Sequence, residues 1–203
     1  MAKAVIFDVG GVLIGLDMAG CIRAFREILG FERITELLDP YHQKGIYGDM
    51  EEGTLPADDF RSQVLAESKP CCVPEDVDRC MARLLKGVAP ETAETVKRLV
   101  GKYPLYLLSN NNPISMPLCR DALREAGLPP ESTFKGEFIS CELKMLKPSR
   151  AFYEEVVRRI GFPAGELVFV DDNQANVDGA LAVGLDARFL APGQPLADVL
   201  KDL

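Results

Sequence analysis

Short apolar runs of four or five residues recur along this chain, set between longer stretches whose apolar positions fall three and four apart. Ala4-Val5-Ile6-Phe7, within 3–8, is such a run, with the β-branched and aromatic members expected of a buried parallel strand. Cys21, Ile22, Phe25, Ile28 and Leu29 then repeat at helical spacing across 18–29, closed by Gly30. No convincing strand pattern follows in 31–87. Pro56-Ala57-Asp58-Asp59 and Pro74-Glu75-Asp76 each put proline in a first helical turn and acid near its positive end, predicting amphipathic helices over 57–68 and 75–86.

After Gly87 the pattern alternates. Helices are predicted over 90–100, 113–126, 148–160 and 173–183, and strands over 105–108, 136–140, 167–170 and 187–190. Alternating strands and helices imply an α/β fold, a Rossmann-like parallel sheet with helices on both faces. The expected organisation is a core of 1–15 and 88–203, with 16–87 a small all-helical cap inserted after the first strand. Ligands of such sheets bind beyond the carboxyl ends of the strands. Asp8, Ser109 and Asp171-Asp172 all stand at such ends, so they are expected to converge.

The 203 residues suffice for one sizeable domain or a core with an inserted cap, and the apolar and charged fractions are ordinary for a globular protein. A net charge of −8 without a basic tract argues against nucleic acid and anionic membrane surfaces as partners. A small anionic substrate stays compatible, because a metal and one lysine invert the sign locally. No apolar stretch reaches the roughly 18 residues of a membrane span, and Met1-Ala2-Lys3 leads into the first strand without a signal-peptide pattern. Cys21, Cys71, Cys72, Cys80, Cys119 and Cys141 form no Cys-x-x-Cys and read as reduced, cytoplasmic thiols. His42 is the one histidine, which disfavours zinc and any histidine-dependent triad. A monomer or homodimer is expected.

A strand that delivers Asp8 into Val9-Gly10-Gly11-Val12 places a carboxylate where burial costs several kcal/mol unless it is paired. Leu167-Val168-Phe169-Val170 runs into Asp171-Asp172-Asn173 in the same way, and two acid-tipped strands suggest one shared cation. Mg²⁺ takes hard oxygen ligands, usually one or two carboxylates with phosphate and water; Asp8 and Asp172 fit, and Gly10 lets a main-chain carbonyl approach. Asp171-Asp172-Asn173 can also be read as helix capping, which leaves Asp8 unexplained. Ser109-Asn110-Asn111-Asn112-Pro113 sits between strand and helix, where free N–H groups and a hydroxyl bind anions, or serves only as a turn. Lys147-Pro148, with proline expected to open the next helix, places a point charge for a phosphoryl group, with Lys144 a competing candidate. Together these residues suit phosphoryl transfer through a carboxylate nucleophile.

The chain resembles the haloacid dehalogenase-like (HAD) hydrolases, in the branch with a small helical cap. The likeness rests on four ordered motifs across essentially the whole chain: Phe7-Asp8-Val9-Gly10-Gly11-Val12-Leu13, Leu108-Ser109-Asn110, Lys147-Pro148, and Val170-Asp171-Asp172 through Ala180. The resemblance implies a phosphatase of small phosphorylated metabolites, a sugar phosphate or similar, working through an aspartyl-phosphate on Asp8 with Mg²⁺. It implies metal ligation by Asp8, the Gly10 carbonyl, Asp172 and, directly or through water, Asp171. Ser109 and Lys147 are expected to hold the phosphoryl group, with Gly10, Gly11 and Asn110 beside it. Gly45–Phe60, with Met50-Glu51-Glu52-Gly53, resembles the cap segment that faces substrate; Tyr41, His42, Lys44, Tyr47 and Met50 are candidate contacts. Gly10 departs from the pattern, because most phosphatases of this family carry there a second aspartate as general acid. The glucose-1-phosphate phosphatase branch also shows glycine, so substrates with better leaving groups, such as anomeric, acyl or aryl phosphates, are expected, or a proton borrowed from water or substrate. A metal-independent dehalogenase, a phosphomutase and a non-catalytic binding protein of the same fold are the alternatives.

Overall fold

The computed structural model describes residues 1–39 and 44–203. Five strands, β1 (Ala4–Phe7), β2 (Leu105–Ser109), β3 (Gly136–Ile139), β4 (Leu167–Asp171) and β5 (Asp186–Phe189), form one parallel sheet in the order β3-β2-β1-β4-β5. β1 is central: Val5 lies opposite Leu105 and Val168, and Phe7 opposite Leu107 and Val170. A central strand flanked by helices needs apolar side chains on both faces, and all four β1 residues are fully buried. Their side chains alternate. Val5 and Phe7 join one apolar cluster with Leu105, Leu107, Val168 and Val170, whereas Ala4 and Ile6 join another with Leu108, Phe152 and Phe169.

The chain runs from β1 outward to β2 and β3, then crosses to β4 and β5 on the other side. That reversal opens a crevice at the carboxyl ends of β1 and β4, the usual ligand position in open parallel sheets. Helices α1 (Met18–Ala24), α2 (Ile34–Leu37), α3 (Gly45–Glu52), α4 (Ala57–Ala66) and α5 (Pro74–Ala82) lie between β1 and β2. Helix α6 (Pro90–Leu99) leads into β2. Helices α7 (Ser115–Glu125) and α8 (Pro130–Thr133) join β2 to β3; α9 (Ser140–Leu143) and α10 (Arg150–Ile160) join β3 to β4. Helix α11 (Gln174–Ala182) joins β4 to β5, and α12 (Leu196–Val199) follows. The inserted helices bury a cluster of their own, built on Phe25, Phe31, Tyr47, Met50, Phe60, Val77 and Met81, with Ile114 reaching into it from the β2–α7 loop.

Several expected boundaries move for local reasons. The helix expected over 18–29 changes to a π-helical turn at Phe25–Leu29 before Gly30 closes it with φ +72°. Neither Pro113 nor Pro148 opens its helix. The Asn112 side chain accepts the N–H groups of Ile114 and Ser115, so α7 starts later, at Ser115. Lys147-Pro148 is a cis peptide, and α10 begins at Arg150 after Ser149. Ser140 ends the expected 136–140 strand by opening α9. Pro74 does stand in the first turn of α5, where Asp76 accepts the Val73 N–H.

Candidate active site

The strand-end residues singled out above converge on one crevice. Asp8, Gly10, Ser109, Asn110, Lys147 and Asp172 line a cavity of about 350 Å³, closed from the insert by Leu16, Met18, Tyr47, Gly48, Glu51, Leu84 and Leu85. Carboxylate oxygens of Asp8, Asp171 and Asp172 lie within 4.8 Å of one another. Lys147 is buried among them, its Nζ 2.9 Å from Asp8 Oδ1 and 2.6 Å from Asp171 Oδ2. The Phe169 ring lies 5.6 Å beneath the same ammonium, which adds a cation–π contact.

The two acids at the end of β4 differ sharply. Asp171 is fully buried and its oxygens are taken: Oδ1 accepts the Asn173 N–H at 2.8 Å, Oδ2 accepts Lys147, and Asn176 Nδ2 reaches both. Asp172 is only partly buried and turns into the cavity. At Asp8, Oδ1 accepts the Val9 N–H at 2.7 Å and faces Lys147, which leaves Oδ2 without a hydrogen bond from the described residues.

Three carboxylates against one ammonium leave an excess of two negative charges in a place largely shut off from water. The titration shifts record this. Burial raises the Asp8 pKa, Lys147 offsets part, and Asp171 and Asp172 push it up again, to about 7. Burial, then Asp171, raises Asp172. Burial works against the Lys147 charge, but Asp171 and Asp8 outweigh it and hold its pKa above the ordinary value. A cluster of hard oxygen donors with two uncompensated charges matches a divalent cation such as Mg²⁺.

Gly11 shows how tightly the motif is built. Its φ is +77°, and a Cβ there would fall 1.9 Å from Asp172 Oδ2. Gly101 has φ +81° and open space around its missing Cβ. Gly11→Ala is therefore expected to destabilise by about 1–3 kcal/mol. The cost should exceed that of Gly101→Ala, the excess reporting the clash with Asp172; urea denaturation of both variants measures it.

Ser109 is buried at the end of β2 and lines the cavity. Asn110 also anchors the lysine loop against β2. Its Oδ1 accepts the Lys147 N–H at 2.8 Å, and its Nδ2 donates to the Lys147 carbonyl at 2.9 Å. Lys144 is exposed and lies outside the cavity lining, whereas Lys147 is buried and lines it. In the insert, Tyr47 faces the cavity, Met50 packs into the insert's own cluster, and Lys44 pairs with Asp39 at the surface. Tyr41 and His42 lie outside the described residues.

The sequence offered Glu51 only as part of the cap segment 45–60 and gave no sign of Ser140. Glu51 lines the cavity four residues after buried Tyr47, on the same helix face, and that spacing singles it out within the cap segment. Ser140, fully buried, accepts the Asn111 N–H at 3.0 Å and brings its hydroxyl 2.5 Å from the Glu51 carbonyl. Asn112 Nδ2 and Ser115 Oγ are buried in the cavity wall, with the Tyr47 hydroxyl as their polar neighbour.

Known proteins match this chain along its length. A D-ribitol-5-phosphate phosphatase from Bacteroides thetaiotaomicron is 29% identical over 92% of this chain and 90% of its own. The sesquiterpene phosphatase astK of Aspergillus oryzae is 30% identical over 90% of this chain and 87% of its own. A crystal structure of a HAD-family enzyme from Bacteroides thetaiotaomicron, in complex with magnesium and inorganic phosphate, superposes with a TM-score of 0.86 at 26% identity, covering 98% of each chain. The model of the haloacid dehalogenase-like hydrolases matches residues 2–184, nearly everything from β1 to the end of α11, and the chain belongs to that family.

Proposed function

We propose that this chain is a Mg²⁺-dependent phosphoric monoester hydrolase whose nucleophile is Asp8. The observation that carries the reading is the Asp8 carboxylate, flanked by Lys147 and Asp172, at the floor of a cavity beyond the strand ends. Asp8, the Gly10 carbonyl and Asp172 would hold the metal; when bound, it would shield the substrate's charge from the carboxylates and polarise a phosphoryl oxygen. Asp171 has no oxygen to spare, so its part is to hold Lys147.

Asp8 attacks phosphorus through Oδ2, the oxygen free of hydrogen bonds, while Val9 and Lys147 fix the carboxylate through Oδ1. The Ser109 hydroxyl and the Lys147 ammonium hold the transferring oxygens. Asn110 keeps Lys147 in place from behind. Water then hydrolyses the aspartyl-phosphate and restores Asp8. The core, 1–15 and 88–203, carries this machinery; the insert, 16–87, acts as the cap that shapes the leaving-group side.

Asn112 and Ser115 meet the Tyr47 hydroxyl there and make that wall polar. They favour a hydroxylated metabolite, of the sugar or polyol phosphate class, over a wholly apolar alcohol phosphate. The phosphatase relatives support the reaction class. Six free thiols support an intracellular setting. Phosphate release from p-nitrophenyl phosphate tests the reading: with Mg²⁺ steady turnover is expected, and EDTA should reduce it at least about 10²-fold. Turnover unchanged by EDTA, or chloride release from a 2-haloacid, would overturn it in favour of metal-free chemistry at Asp8.

A further inference from the structure

The reaction proposed above needs a proton for the oxygen that leaves phosphorus. Gly10, beside the nucleophile, has no side chain to give one. Among the described residues, the other titratable groups lining the cavity are already engaged or titrate too high. Asp8 and Asp172 belong to the carboxylate cluster, and Lys147 is tied to Asp8 and Asp171. Burial pushes the Tyr47 hydroxyl well up and the Cys119 thiol up to about 11, so neither releases a proton readily near neutrality.

Glu51 remains. It lies on the insert's wall of the cavity, near enough to Asp8 and Lys147 to feel both charges, and a leaving group on phosphorus bound at Asp8 would project toward that wall. Its main chain is fixed rather than loosely draped: Ser140 of the core holds its carbonyl. Two residues on, Gly53 passes so close to α9 that a Cβ there would fall 2.2 Å from the Cys141 carbonyl. The Glu51 carboxyl itself has no hydrogen-bond or ion-pair partner among the described residues. A positioned acid group with nothing to bind is costly for stability alone and useful to a reaction.

We propose that Glu51, held over the cavity by Ser140, is the general acid and base of this site, filling the role that Gly10 leaves vacant. The inference rests on the phosphatase reading. In the first step, the bond from Asp8 Oδ2 to phosphorus forms and the ester P–O bond breaks. The departing oxygen takes the Glu51 proton, giving the alcohol, the aspartyl-phosphate and a Glu51 carboxylate. In the second step, that carboxylate takes a proton from water as the water oxygen bonds to phosphorus. The Asp8–phosphorus bond breaks, releasing inorganic phosphate and restoring a protonated Glu51. The groups that face Glu51 are Asp8, Lys147, Tyr47 and Cys141. Burial and the Asp8 charge outweigh Lys147 and place its pKa at about 8, so the acid form is present at neutral pH.

The test uses the whole chain with saturating Mg²⁺ and aryl phosphates graded in leaving-group pKa. The parent protein should show kcat/KM nearly independent of leaving group. Glu51→Gln should lose about 10²–10⁴-fold on phenyl phosphate and only a few-fold on p-nitrophenyl phosphate, whose leaving group departs unprotonated. Its kcat/KM should also lack the fall toward alkaline pH that the parent shows. Glu51→Asp, which keeps the acid, should retain the shallow dependence at a reduced rate. An equal loss across the series, or none, overturns the role of Glu51 and leaves the phosphatase reading standing. A parent protein that releases no phosphate from any member overturns the phosphatase reading, and the role of Glu51 with it.

Discussion

Asp8→Asn is expected to lower kcat/KM for p-nitrophenyl phosphate by about 10⁴–10⁶-fold, the scale seen when a covalent nucleophile is removed. The fold should survive the change. The amide keeps the shape of the side chain and an oxygen for the Val9 N–H, and Lys147 retains Asp171 at 2.6 Å. Metal-free stability should even favour the variant. Asp8 titrates near 7 in the folded chain against an ordinary 3.8, so between those values the folded state holds a proton that the unfolded state has lost. The parent therefore loses stability as pH rises through that window, whereas the amide has no proton to lose. The melting temperature of Asp8→Asn minus that of the parent should grow from pH 4 to pH 7 and level off above. Mg²⁺ should reverse the order, because a ligand at about a hundred times its Kd adds about 2.7 kcal/mol to a protein that binds it. Thermal melts at pH 5 and pH 8, with and without Mg²⁺, check all three expectations. Residual turnover within tenfold of the parent would remove Asp8 as the nucleophile.

β1, β2 and β4 were legible because burial on both faces demands continuous apolar runs, and the edge strands β3 and β5, less buried, were placed by the alternation with helices; each of the five falls within two residues of its expected limits. The carboxylates stood out for the same reason, since a charge at the end of such a run has no local explanation. What stayed hidden depends on contacts between distant segments. Asn110 reaches Lys147 across 37 positions, and Ser140 reaches Glu51 across 89. No periodicity encodes either contact. Gly11 was readable as a turn glycine, but the pressure against a side chain there comes from Asp172, on another strand end. The late starts of α7 and α10 have a similar origin. Proline only permits a first turn; at α7 the Asn112 side chain satisfies the first free N–H groups and decides where the helix begins. The different duties of Asp171 and Asp172 also needed the fold, because only there is one acid enclosed by Lys147 and Asn176 while its neighbour faces the cavity.

Lys147→Met should be the most damaging single change to stability, at about 3–5 kcal/mol, the usual cost of leaving a buried charge without its partner. Two acids lose their cation at once, and Asp171 has no water to turn to. Asn173 and Asn176 still donate to Asp171, which moderates the loss but supplies no charge. The deficit should depend on pH in a fixed direction. Without the ammonium, the folded-state pKa of Asp8 rises further, so the variant loses stability as pH increases and comes closest to the parent in acid. Turnover should fall about 10²–10³-fold or more even where the variant remains folded, because the ammonium also faces the phosphoryl oxygens. Lys147→Arg separates the two effects. It keeps the charge and much of the stability, but a planar fork does not fit a site shaped for a compact ammonium between Asp8, Asp171 and the Phe169 ring, so activity should not return in proportion. Lys144→Met is the control, an exposed lysine three residues away whose loss should leave stability within about 0.5 kcal/mol. Urea titrations of the three variants at pH 5.5 and pH 8 measure the difference. If Lys147→Met were no less stable than Lys144→Met at pH 8, the buried pair of acids would not be charged in the folded protein, and the electrostatic case for a divalent cation between them would fall.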